Sequence, residues 1–71
     1  MTEELVRNLA IEKAHEIFPE LEVNHPSYFI GIVEIVTNTI VKNYDLSILG
    51  PESHVKELME LDLRNLQNAL R

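Results

Sequence analysis

The sequence predicts an all-α protein: a three-helix bundle with helices at about residues 3–17, 26–44 and 51–70, assembled as a helical dimer. Three observations point there. Apolar residues recur at spacings of three and four along three segments. Proline or a capping residue punctuates each segment. Two of the three helices also carry more apolar surface than a monomeric bundle needs, so a second subunit or a partner is expected to cover the remainder.

The first helix begins after Thr2, a good N-cap, with Glu3 and Glu4 where the helix dipole favours negative charge. Leu5, Val6, Leu9, Ala10, Ala14 and Ile17 form its apolar side, and Ile11 and Phe18 extend it. Pro19 ends it, because the residue before a proline is pushed out of helical geometry. The connector Pro19 to His25 alternates polar and apolar residues, so Leu21 and Val23 are expected to cap the bottom of the core. Pro26 suits the first position of the second helix, with Asn24 or His25 as its cap.

The second helix is rich in isoleucine and valine, as a strand would be. Its polar positions decide for a helix: Gly31, Glu34, Asn38 and Lys42 recur at three, four and four. Phe29, Ile30, Ile32, Val33, Ile35, Val36, Ile40 and Val41 fill the rest. They span an arc of roughly 240°, against the ~100° stripe of a simple surface helix. This helix is therefore expected in the middle of the bundle, meeting two neighbours. In the second connector, Asp45 or Ser47 starts a short turn, and Leu46, Ile48 and Leu49 are expected to pack back onto the core. Gly50-Pro51 then marks a helix start. In the third helix Met59, Leu63, Leu66 and Leu70 recur at coiled-coil-like spacing, joined by Val55 and Leu58. Glu60 and Arg64 are ordered for an i,i+4 ion pair.

Seventy-one residues make a single domain, residues 1–71, with a thin core. The absence of cysteine removes disulfides and thiolate metal sites. A net charge of −6 disfavours direct nucleic-acid binding and anionic membranes. It makes a basic protein surface the natural complement. The acidic start Met1-Thr2-Glu3-Glu4 does not resemble a secretory signal. Tyr28 to Val41 is too short to span a bilayer, so a cytoplasmic location is the expectation.

Catalytic motifs are missing. Ser27, Ser47 and Ser53 lie near helix starts or turns, where capping explains them, and two isolated glycines cannot build a phosphate loop. Glu12-x-x-His15, with Glu16 beside it, has the ligand spacing of di-metal bundles. It lies on the polar side of its helix, however, so a solvated face, with no metal and no cofactor, is expected. Length, acidity and helicity invite comparison with acyl carrier proteins. Their Asp-Ser-Leu hallmark is absent: the second helix begins His25-Pro26-Ser27-Tyr28, and Asp45-Leu46-Ser47 has the wrong order.

The expected function is therefore binding, not catalysis. The chain reads as a small acidic regulatory protein, inhibitor- or adaptor-like, that forms a homodimer and docks a protein partner. Candidate contacts are Glu12, Glu16, Glu20, Glu22, Glu57 and Glu60. The expected oligomer or partner interface comprises Phe29, Ile32, Val33, Val36, Ile40, Met59, Leu63, Leu66 and Leu70. Two alternatives are a structural oligomerisation subunit and a small-molecule sensor with a pocket between subunits. In the second, Tyr28, Phe29 and Tyr44 would stack on a flat ligand, although core packing is the first expectation for all three.

Overall fold

The computed structural model describes residues 1–69, and every regular element in them is helical: α1 (Glu3–Ile17), α2 (Leu21–Asn24), α3 (Pro26–Asn43) and α4 (Glu52–Ala69). The Thr2 hydroxyl accepts from the Leu5 amide at 3.1 Å, which satisfies one of the free N–H groups of the first turn of α1. At the other end the Phe18 amide donates to the Ala14 carbonyl. Pro26 opens α3 as expected, and His25 occupies the cap without a side-chain hydrogen bond. Pro51 stands just ahead of α4, where its carbonyl accepts from the His54 and Val55 amides. Gly50 has φ of 86°, the left-handed conformation that turns the chain into α4 and that glycine adopts without a Cβ clash.

One apolar cluster joins the three long helices. α1 supplies Val6, Leu9, Ala10, Ala14 and Ile17. α3 supplies Phe29, Ile32, Val33, Val36 and Ile40. Leu49 comes from the connector, and Val55, Met59 and Leu63 come from α4. Each large side chain removed from water contributes about 1.5–3 kcal/mol.

The arrangement corrects one expectation. α1, not α3, is the middle helix: it packs closely against both α3 and α4, which touch each other far less. Ala10 and Ala14 explain this, since small side chains on the buried arc of α1 let two helices approach it. Arg7 on one flank of α1 pairs with Glu34 of α3, and Glu12 on the other flank pairs with Lys56 of α4, both at 2.9 Å. The Arg7–Glu34 pair and the His15–Phe29 stack show that α1 and α3 run antiparallel.

The connectors bring two more corrections. Residues 21–24 form a helical turn, not an alternating segment. Residues two apart in a strand share a face, whereas in a helix they point in different directions. Leu21 therefore packs against the core while Val23 is exposed. In the second connector the Asp45 carboxylate accepts from both the Ser47 amide and its hydroxyl, at 2.9 and 2.7 Å. This turn leaves Ile48 outside, with Leu46 partly and Leu49 fully buried. Lys13 lies on the buried arc of α1, a placement its charge did not suggest. Its ammonium reaches out to Glu16 at 3.3 Å.

Candidate functional site: an outward apolar face on α3 and α4

α3 buries one side against α1 and leaves large apolar side chains on the other. Tyr28 is 60% exposed, Ile30 62% and Ile35 53%. These do not form one patch. At 100° per residue, Ile30 lies on one side of the polar stripe of Gly31, Glu34, Asn38 and Lys42, and Tyr28 and Ile35 lie on the other. Tyr28 was expected in the core but lies a full seven residues before Ile35 on this outward side. Tyr44, also expected inside, follows the last turn of α3 in extended conformation and is exposed. Phe29 alone of the three aromatic candidates is buried. Its ring stacks on His15, with centroids 4.8 Å apart.

The side of α3 bearing Tyr28 and Ile35 continues onto α4. A shallow hollow of about 320 Å³ is lined by Ser27, Tyr28, Gly31, Ile32 and Ile35. A second, of about 250 Å³, bridges the two helices through Ile35, Thr39, Asp62, Asn65 and Leu66. Ile35 belongs to both. Leu58, one turn before Asp62 on α4, is half-buried at the border of the second hollow, whereas Leu61 is exposed on the side of that helix nearly opposite Met59 and Leu63. The face exists because α3 and α4 both lean on α1 and leave the seam between them open.

Most of the residues expected at an interface lie in the core, although Ile32 and Leu66 also line the two hollows. Phe29, Ile32, Val33, Val36, Ile40, Met59 and Leu63 are buried in the chain's own core. Leu66 is partly buried, and Leu70 lies outside the described residues. The face turned to solvent is instead made of Tyr28, Gly31 and Ile35 of α3, continued by Asp62 and Asn65 of α4. The signal was present: Tyr28, Ile35 and Lys42 recur every seven residues, two helical turns, and so fall in one line.

The acidic candidates are scattered around the surface, and most are already engaged. Glu12 pairs with Lys56, Glu16 with Lys13, His15 with Glu22 at 2.8 Å, and Glu60 with Arg64 at 3.4 Å, the i,i+4 pair expected from spacing. The hydrogen bond that the Lys56 ammonium donates to Glu12 raises its pKa above its ordinary range, with Glu52 and Glu16 adding to it. Glu34 acts in the same way on the Arg7 guanidinium. Among the described residues, Glu20 and Glu57 have no such pair. Glu12 and His15 thus have separate partners, and among the described residues no three His, Asp or Glu side chains gather as metal ligands. No described helix is long and apolar enough to cross a membrane. Comparison of the chain with family models, curated proteins and solved structures finds no match.

Proposed function

We propose that this chain is a small helical interaction protein, assembled as a dimer around its three long helices, that acts by binding a protein partner rather than by catalysis. The observation that carries this reading is the open seam between α3 and α4, where Ile35 stands exposed above a hollow that it shares with Thr39, Asp62, Asn65 and Leu66, with Tyr28 two turns before it on the same side of α3. Large apolar side chains aligned along a helix face mark protein–protein contacts more often than isolated exposed ones do. The partner is a protein with a basic surface, because the chain carries 12 acids against 6 lysines and arginines. Of the six candidate acids, Glu20 and Glu57 are the two proposed to meet it, since neither has an ion pair among the described residues. An oligomerisation subunit is the second reading, favoured by the same apolar face.

The test is capture of a partner from the native host on immobilised protein, followed by a salt titration. The retained protein is expected to be basic and to elute progressively as salt rises, because exposed charges are screened. Glu20→Lys with Glu57→Lys is expected to weaken retention at least tenfold while the helical circular dichroism is unchanged. A partner held equally by the charge-reversed chain would remove the acidic docking surface from the account. Absence of any stoichiometric partner would favour the oligomerisation subunit.

A further inference from the structure

We propose that the outward face of α3 is covered by α3 of a second copy of this chain, the two running antiparallel about a two-fold axis at Ile35. This rests on the binding reading above and specifies the dimer within it.

Charge selects the occupant. α1 and α4 each carry four acids against two bases, so a contact centred on either helix sets acid against acid between copies. α3 alone among the long helices is neutral, with Glu34 and Lys42 as its only charges. Glu34 is held by Arg7, on the far side of the polar stripe from Tyr28. The line of Tyr28, Ile35 and Lys42 contains no carboxylate. Asp62 of α4 is the carboxylate that lines the hollow beside Ile35, so a second molecule of net charge −6 meets less repulsion here than in a contact centred on α1 or α4.

The pattern is also self-complementary, as a two-fold contact requires. In an antiparallel pair centred on Ile35, residues equally spaced before and after it face each other. Ile35 then meets its own counterpart. Tyr28 meets Lys42 of the second copy, an ammonium over a phenol ring. Among the described residues, Lys42 has no carboxylate within ion-pair distance, so it is free for this contact. Gly31 meets Thr39. A Cβ at Gly31 would have no atom within 4 Å, so the glycine leaves an open notch in the helix surface where another helix comes close.

Size is adequate only when α4 contributes, and its seam side brings Asp62, so the contact is expected to tighten as salt screens the repulsion between copies. Two helices of 18 residues, each about 27 Å long and 10 Å across, present a face of about 540 Å² per copy. The pair then covers about 1,100 Å², at the threshold of a specific interface. Leu66, which lines the hollow beside Ile35, and the half-buried Leu58 supply apolar surface to that second strip. The dimer is therefore expected to be reversible at micromolar concentration.

The experiment is sedimentation equilibrium between 1 and 200 μM, with circular dichroism to confirm folding. Twice the monomer mass is expected at the upper end. Ile35→Lys and Gly31→Leu are each expected to raise the dissociation constant at least tenfold. Ile30→Lys, equally exposed but across the polar stripe, is expected to leave it unchanged. Because the chain has no cysteine, Ile35→Cys gives an independent readout: mild oxidation should link two copies rapidly, and Ile30→Cys should not link them. A monomer at 200 μM overturns the proposal, as does dissociation by Ile30→Lys but not by Ile35→Lys, or faster linkage through residue 30. A monomer that still retains a basic partner removes this two-fold contact and leaves the binding reading standing. A dimer that retains none does the reverse.

Discussion

α1 and α3 are neighbours of similar length with opposite relations to water. α1 is buried along one side by two helices and shows no large exposed apolar side chain. It even accommodates Lys13 on that side by sending the ammonium out to Glu16. α3 is the more apolar helix, yet it lies at the edge, with Tyr28, Ile30 and Ile35 in solvent. The difference teaches that the central place goes to the helix that can be approached closely, not to the most hydrophobic one. Ala10 and Ala14 give α1 that place, and α3, which meets α4 over a small area, is left with apolar side chains that its neighbours do not cover.

The largest expected effect breaks the inner side. Met59 of α4 is fully buried in the shared cluster, and Met59→Ala should cost about 2–5 kcal/mol in urea denaturation. A chain of this size has roughly 4–10 kcal/mol in all, so the variant is expected to be largely unfolded at 37 °C. Next comes the one flaw within the inner side of α3. The Thr37 hydroxyl is fully buried and has no hydrogen-bond partner among the described residues. Thr37→Val keeps the shape and removes an unmatched polar group, so it should stabilise the chain by about 1 kcal/mol in the same assay.

On the outer side of α3, Ile30→Ser should change monomer stability by less than about 0.5 kcal/mol, since that side chain is not part of the core. The smallest effect lies in the connector. Hydrogen bonds from the Ser47 hydroxyl and then its amide lower the Asp45 carboxyl below its ordinary pKa. A group whose folded pKa is lowered adds stability above its unfolded pKa and loses it as pH falls through the folded value. Ser47→Ala removes the larger of the two causes, so NMR titration should move the Asp45 pKa back up and the acid side of the stability curve should flatten slightly.

Periodicity made the helices legible. Thr2, Pro19, Pro26 and Gly50-Pro51 punctuate the chain, and observed and expected boundaries agree to within a residue over the described part. Packing was less legible. The width of the apolar arc on α3 suggested two covering neighbours, but arc width does not reveal whether those neighbours belong to the same chain. The short helix α2 was hidden because Leu21 and Val23 alternate with polar residues, a pattern that four residues of helix also satisfy. The outward face was half legible. The seven-residue line of Tyr28, Ile35 and Lys42 stands in the sequence, but Gly31 read as part of a polar stripe until the space above it could be seen.

The most direct test of the account is the thermal midpoint of the unaltered chain as a function of its own concentration. If a second copy covers the seam beside α3, the midpoint rises steadily from 1 to 200 μM by mass action, and Ile35→Lys abolishes the rise. A midpoint that stays constant across that range, in a chain that melts cooperatively, would show that the outer side of α3 remains in water and would contradict the account.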